Sequence, residues 1–101
     1  MSPKKLVVPH PGVLLRSLIA SLEISTYTAA DQLAISRNTL SRVLNERAGI
    51  SPQMALRLEL WLGKRGGSAD DWMTRQAAYD LAQAREQGIY GVAPEPFRAT
   101  R

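Results

Sequence analysis

Apolar residues recur every three or four positions through most of this 101-residue chain. That spacing places them along one face of a helix. Leu15, Leu18, Ile19 and Leu22 form the first such stripe, and later segments repeat the pattern without any strand-like alternation. The pattern therefore predicts an all-α chain of five helices.

Residues that favour helix ends divide the chain at matching places. Ser25-Thr26, Ser36, Ser51-Pro52 and Ser68 each precede an apolar stripe and can cap its first N–H groups, while Gly63 can end the fourth helix. The predicted helix-turn-helix covers residues 26–45 and the C-terminal helix residues 68–87. We expect an N-terminal arm at 1–9, one helical domain at 10–87, and an extended or disordered tail at 88–101 in which Tyr90, Val92 and Phe97 can pack against a neighbour.

The second and third predicted helices have the spacing of two helices that cross steeply at a tight turn. Ala30 is small where they would approach, and Leu40 and Val43 of the second helix of the pair return to the shared core. Ala34 stands where a glycine is usual, which costs free energy if that residue adopts a positive φ. This arrangement predicts a helix-turn-helix with one face of its second helix unburied.

That unburied face carries hydrogen-bonding side chains and no carboxylate before Glu46. A merely solvated helix face usually mixes acidic and basic residues, so this one favours an anionic partner, although an ordinary polar hairpin remains the alternative. Arginine can bind guanine and asparagine adenine through two hydrogen bonds each. We predict base-edge or adjacent backbone contacts for Arg37, Asn38, Ser41 and Arg42, and phosphate positioning by Thr26, Thr39, Asn45 and Arg47. Ser36, at the start of the helix, is a further predicted DNA-binding residue.

The charge distribution agrees with this prediction without proving it. The formal net charge is +4, and residues 1–65 hold nine Lys/Arg against four Asp/Glu, whereas residues 66–101 hold four against five. A basic N-terminal part suits a polyanion. It would equally serve as a solubilising surface.

Several chemistries lack the residues they need. With no cysteine there is no disulfide or thiolate metal site, and His10, the one histidine, lies between two prolines, where we expect a surface loop. Asp70 and Asp71 fit compensation of a helix dipole better than a metal site or a catalytic pair. We therefore expect no enzyme activity, no metal and no cofactor. We also expect no signal peptide or membrane span, and a cytoplasmic location.

The fifth predicted helix is apolar over a wider face than a lone terminal helix needs. Its small alanines would allow another helix to approach closely, so we predict a homodimer, with packing inside one chain as the alternative. A two-fold dimer would place its two reading helices about 34 Å apart, one turn of DNA. The predicted dimer residues are Trp72, Met73, Tyr79, Leu81 and Ala82.

Taken together, four motifs resemble the HigA/VapI-type antitoxins of the Cro/lambda-repressor-like helix-turn-helix group. The motifs are the His10-Pro-Gly-Val-Leu-Leu segment, the run from Ser36 to Arg47, the run from Gly49 to Leu58, and Trp72 with the segment from Gln76 to Leu81. The resemblance covers residues 10–87. It implies a five-helix fold, a homodimer on a palindromic operator in double-stranded DNA, neutralisation of a RelE-like ribonuclease toxin, and repression of the shared operon.

Two other functions fit the residues. One is a stand-alone repressor without a toxin partner, which the absence of an adjacent toxin reading frame would indicate. The other is a protein-interaction module whose polar helix binds no DNA, which a binding assay would identify.

Overall fold

The computed structural model describes residues 7–95, and all regular structure in that range is helical. Five α-helices follow one another: α1 (Pro11–Ser21), α2 (Thr26–Leu33), α3 (Arg37–Leu44), α4 (Pro52–Leu62) and α5 (Ala69–Gln87). A short 3₁₀ turn, Gly63–Arg65, connects the last two. The five-helix prediction is confirmed.

Four serine hydroxyls begin α2 to α5, as the sequence predicts. Ser25, Ser36, Ser51 and Ser68 each accept a hydrogen bond from the backbone N–H three residues later. These bonds satisfy N–H groups that have no partner within the helix. At α5 the bond is reciprocated, because the Asp71 carboxylate accepts from the backbone N–H of Ser68 at 3.0 Å.

A single hydrophobic core joins all five helices. Its fully buried large side chains are Leu15 of α1, Leu40 and Val43 of α3, Leu58 of α4 and Trp72 of α5. α1 packs against α3 and α5, and α4 packs against α2 and α5. The two helices of the helix-turn-helix, α2 and α3, thus pack against α4 and α1, and α5 packs against those two helices in turn.

The turn between α2 and α3 is closed by the left-handed residue Ala34, with φ 59°. The N–H groups of Ala34 and Ile35 donate to the carbonyls of Asp31 and Ala30, which is the Schellman pattern of helix termination. Glycine is the usual residue for such a φ. The structure therefore places alanine in the backbone conformation for which the sequence predicts a cost.

His10 is buried, so the expectation of a surface loop histidine is wrong. Only 4% of its surface is exposed, its Nδ1 accepts a hydrogen bond from the Gly12 N–H at 2.8 Å, and its ring meets that of Tyr79 edge-on at 4.8 Å. A Cβ on Gly12 would collide with the Val43 carbonyl, so the first turn of α1 lies directly on α3. His10 consequently caps α1 at the point where α1, α3 and α5 meet.

The segment after α5 leaves the helical body. Tyr90 and Val92 are 88% and 75% exposed and contribute nothing to the core, while Phe97 lies outside the described residues, as do residues 1–6 of the predicted arm. Among the described helices, none has the length and apolar content that a membrane span requires.

Candidate nucleic-acid interface

α3 separates its buried and exposed faces sharply. Leu40, Val43 and Leu44 are buried in the core, and the remaining positions of the helix face outward. This division leaves one polar helix face at the surface of the molecule. The outward or half-buried residues of α3 and its two flanks are Ser36, Arg37, Asn38, Thr39, Ser41, Arg42, Asn45 and Arg47.

The N-terminal turn of α3 uses two of these residues to hold itself together. The Ser36 hydroxyl accepts from the Thr39 N–H at 3.0 Å and donates to the Thr39 hydroxyl at 2.7 Å. Ser36 is therefore a structural cap as well as a surface residue. The Thr39 hydroxyl accepts in this bond, so its own hydrogen can be donated to an acceptor outside the turn.

Three of the polar side chains have no partner within the described part of the chain. Asn38, Arg42 and Arg47 are exposed, and residues 7–95 give them no side-chain hydrogen bond or ion pair. Arg37 differs, because its guanidinium lies 5.7 Å from the ring centroid of Tyr27 on α2. Arg37 and Arg42 on α3, and Arg47 just after it, are thus three cations that form no ion pair with a carboxylate among residues 7–95.

Tyr27 is a surface residue that the sequence analysis did not select. Its ring is 66% exposed and lies beside Arg37. The available signal was an aromatic residue at the start of a short helix whose apolar face is formed by Ala29, Ala30 and Leu33. Tyr27 falls off that face, so periodicity indicates that its ring points to solvent.

The C-terminal end of α3 is completed by a residue from another helix. Three of its last four carbonyls accept backbone N–H groups of Asn45, Glu46 and Arg47. The fourth, the carbonyl of Leu44, accepts from Arg16 Nη2 of α1 at 2.9 Å. A cation at a helix C-terminus is also favoured by the helix dipole. Arg16 was missed by sequence analysis because nothing local marks this long-range bond.

Arg16 forms one wall of a cleft of about 350 Å³ between α1, α2 and α3. Thr26, Ser41 and Asn45 line the same cleft, so the structure brings these predicted site residues together. Arg16 Nη2 also donates to Asn45 Oδ1 at 2.7 Å, and Asn45 Nδ2 donates to Ser41 Oγ at 3.2 Å. The cleft therefore combines one guanidinium, one amide and two hydroxyls at the edge of α3.

The residues predicted for a dimer interface do not share one environment. Trp72 is fully buried inside its own chain, which contradicts its assignment to an interface, since no part of its side chain can reach a second copy. Met73 and Ala82 are half-buried, and Tyr79 is half-buried against His10. Leu81 is 50% exposed and is the most available of the set.

The chemistry of the α3 face is limited to hydrogen bonding and charge pairing. Across residues 7–95, no group of three or more His, Cys, Asp or Glu side chains is arranged to bind a metal ion. Exposed guanidinium, amide and hydroxyl groups are suited to phosphate oxygens and base edges. The arrangement fits a nucleic-acid interface.

Known proteins resemble the chain in both sequence and fold. No protein-family model matches it. Virulence-associated protein A' of Dichelobacter nodosus is 36% identical over 88 residues, which cover 86% of this chain and 75% of that protein. An addiction module antidote protein of the HigA family from Coxiella burnetii has 30% identity and a TM-score of 0.75, with 81% of this chain and 87% of that one covered.

The structure of a third relative was determined in complex with DNA. The Pseudomonas aeruginosa protein PA4674, in complex with its 28 bp operator DNA, is 34% identical with a TM-score of 0.73, over 80% of this chain and 87% of that one. Sequence identity, coverage and fold thus agree across these relatives. The chain belongs to the HigA-type antitoxins of the Cro/repressor-like helix-turn-helix group, a family of regulators rather than of enzymes.

Proposed function

We propose that this protein is a sequence-specific DNA-binding antitoxin that represses its own operon. The observation that carries the proposal is the exposed α3 face, on which Arg37, Asn38 and Arg42 stand without a carboxylate partner among the described residues. Unneutralised cations on an exposed helix face attract a polyanion, and planar guanidinium and amide groups can discriminate base edges. The relative solved with its operator shows that a chain with this fold binds DNA.

Within this proposal, the α3 residues divide into two roles. Arg37, Asn38, Ser41 and Arg42 read base edges or the adjacent backbone. Thr26, Ser36, Thr39, Asn45 and Arg47 position phosphates around the helix and its flanks. The double-stranded operator is a palindrome, read by the two α3 helices of a homodimer.

The dimer forms through α5 on this proposal. Support comes from the half-exposed Leu81 and from Ala77 and Ala78, which are exposed small side chains on the same helix. Small side chains permit close helix approach. Met73, Tyr79 and Ala82 border that surface, and Trp72 supports it from the core.

The antitoxin function adds a second partner, a RelE-like ribonuclease toxin encoded beside this chain and neutralised by it in the cytoplasm. Family membership supports this assignment. Co-expression with the adjacent reading frame tests it, because growth arrest caused by that frame should be relieved by this chain. Failure of rescue, with DNA binding intact, would favour a stand-alone repressor.

Footprinting on the DNA upstream of the chain's own coding sequence tests the DNA-binding function. We expect protection of two half-sites one helical turn apart. Replacing both Arg37 and Arg42 with alanine should abolish discrimination between that site and random duplex. A wild-type protein that shows no protection on any duplex would support the protein-interaction alternative.

A further inference from the structure

Three polar side chains from two helices form a chain of hydrogen bonds that runs in one direction. Arg16 Nη2 donates to Asn45 Oδ1 at 2.7 Å, and Asn45 Nδ2 donates to Ser41 Oγ at 3.2 Å. Arg16 is anchored independently by its bond to the Leu44 carbonyl at 2.9 Å. The series therefore begins at a fixed donor and ends on the reading face of α3.

The direction follows from the chemistry of the first member. A guanidinium group has five N–H donors and no acceptor, so the Asn45 atom that faces Arg16 must be oxygen. The amide NH₂ group must then face away from Arg16, toward Ser41. Flipping the Asn45 amide would place its NH₂ group against the guanidinium, so that two hydrogen-bond donors would face each other. Arg16 thus selects one of the two amide orientations.

The consequence appears at the Ser41 hydroxyl. One of its lone pairs is occupied by the amide hydrogen of Asn45, and its own hydrogen has no acceptor among residues 7–95. A helical serine commonly returns that hydrogen to the carbonyl four residues earlier, a bond that Ser41 does not make within the described residues. Ser41 is half-buried at the edge of the cleft. Its hydrogen is available to an atom outside the protein.

We propose that Arg16 is a positioning residue that, through Asn45, holds the Ser41 hydroxyl as a hydrogen-bond donor toward an acceptor atom of the DNA. The inference rests on the proposed DNA-binding function and adds the direction of one contact. Acceptors within this chemistry are N7 and O6 of guanine, N7 of adenine, O4 of thymine and the phosphate oxygens. The amino group of cytosine, which only donates, is disfavoured at this contact.

The substitution Asn45→Asp preserves the shape of the side chain but reverses the direction of the hydrogen bond between residues 45 and 41. A carboxylate still accepts from Arg16 but has no hydrogen to give, so the Ser41 hydroxyl must donate to it and present only lone pairs to the DNA. The probe is a duplex selected by the wild-type protein from a random pool, together with all its single-base-pair variants. Affinities are measured for the wild type and for the single variants Ser41→Ala, Asn45→Asp and Arg16→Met. Two double variants combine Ser41→Ala with Asn45→Asp or with Arg16→Met, and thermal unfolding checks that every variant is folded.

A base contact and a phosphate contact give different signatures. If Ser41 donates to a base, Ser41→Ala should weaken the preference at one base pair by about three- to tenfold, the range of one hydrogen bond. If it donates to phosphate, all sequences should weaken alike. In either case the loss caused by Ser41→Ala should be much smaller in the Asn45→Asp and Arg16→Met backgrounds than in wild type, because those variants have already lost the Ser41 contact. The extra negative charge of Asp at position 45 lowers affinity both with and without the Ser41 hydroxyl. It therefore cancels when the effect of Ser41→Ala is compared between backgrounds.

Two results would overturn the proposal. One is a change of less than twofold in every duplex for Ser41→Ala. The other is an effect of Ser41→Ala that is as large in the Asn45→Asp or Arg16→Met background as in wild type. Failure of the proposed function itself looks different, because then the wild-type protein selects no duplex from the pool.

Discussion

The side-chain oxygen of Gln76 accepts a hydrogen bond from the backbone N–H of Ile50 at 2.6 Å and thereby joins the middle of α5 to the loop after α3. Gln76 is buried, and its amide nitrogen donates to Asp80 at 2.9 Å. A Cβ on Gly49 would lie within 3.1 Å of the Gln76 amide atoms, so the loop passes closely over this side chain. The bond fixes the chain leaving the reading helix against the proposed dimer helix.

Removing this bond should destabilise the protein. Gln76→Met keeps the approximate volume but leaves the buried Ile50 N–H without an acceptor, and we expect a loss of about 1–3 kcal/mol in the free energy of unfolding. Urea denaturation followed by circular dichroism measures it. Gln83→Met on the exposed side of α5 is the matched control, expected to change stability by less than about 0.5 kcal/mol. Equal effects of the two variants would contradict the role given to Gln76.

Ala34→Gly should stabilise the helix-turn-helix. The left-handed φ of 59° at Ala34 costs a residue with a Cβ, whereas glycine adopts it freely. We expect a gain of about 0.5–1 kcal/mol, net of the greater entropy of glycine in the unfolded chain. The same substitution at Ala20, an exposed position of α1, should cost about 0.5–1 kcal/mol instead. A loss of stability on thermal unfolding of Ala34→Gly would refute the argument.

Asp71 should make stability depend on pH in the acid range. The backbone N–H of Ser68, and secondarily the Ser68 side chain, lower the pKa of the Asp71 carboxyl from its ordinary value of 3.8. A group whose folded-state pKa is lowered contributes stability above its unfolded pKa and loses it as pH falls through the folded one. Stability should therefore decline from about pH 5 downward, with a smaller slope in Asp71→Asn than in wild type.

Ser68→Ala provides the comparison for that pH experiment. It removes the hydroxyl that accepts from the Asp71 N–H at 3.1 Å, so we expect a general loss of about 1 kcal/mol. It keeps the backbone N–H, which has the largest effect on the Asp71 pKa. Most of the acid-range slope should survive in this variant. A slope in Asp71→Asn equal to that of wild type would show that other groups cause the acid sensitivity.

Leu81→Glu should dissociate the proposed homodimer. It places a charge on the exposed apolar part of α5, where desolvation on dimer formation would be costly. Sedimentation velocity at micromolar concentration should then show a monomer, whereas we expect the wild type to sediment as a dimer. Leu60→Glu, on α4 at a position 84% exposed, is the control and should remain dimeric. A monomeric wild type rules out the α5 dimer at that concentration.

Arg47→Ala and Arg42→Ala should weaken DNA binding in different ways. Arg47, proposed to contact phosphate, should lower affinity for all sequences and flatten the slope of log affinity against log salt by about 0.9. Arg42, proposed to reach a base edge, should reduce discrimination between cognate and random duplex. Lys64→Ala, in the exposed 3₁₀ turn after α4, lies outside the proposed DNA-contacting set and the proposed dimer surface and serves as control. An unchanged salt slope in Arg47→Ala would refute the phosphate contact.

Local chemistry allowed much of the fold to be predicted from the sequence. Helix starts at Ser25, Ser36, Ser51 and Ser68 depend on a hydroxyl and an N–H three residues apart, so they can be recognised without knowing any distant contact. Apolar periodicity likewise fixes which face of α3 turns inward, and hence which polar residues remain outside.

Interactions between distant parts of the chain were decided only by the tertiary structure. His10 is buried because α1 and α5 meet there, and Trp72 fills the core of its own chain rather than an interface. Arg16 reaches Leu44 and Asn45 over 28 and 29 positions of sequence. Sequence alone determined the helices and the polar face of α3, whereas the packing of the helices against one another decided the partner of each long polar side chain. Periodicity shows that a side chain points away from the core but does not specify which residues it contacts there.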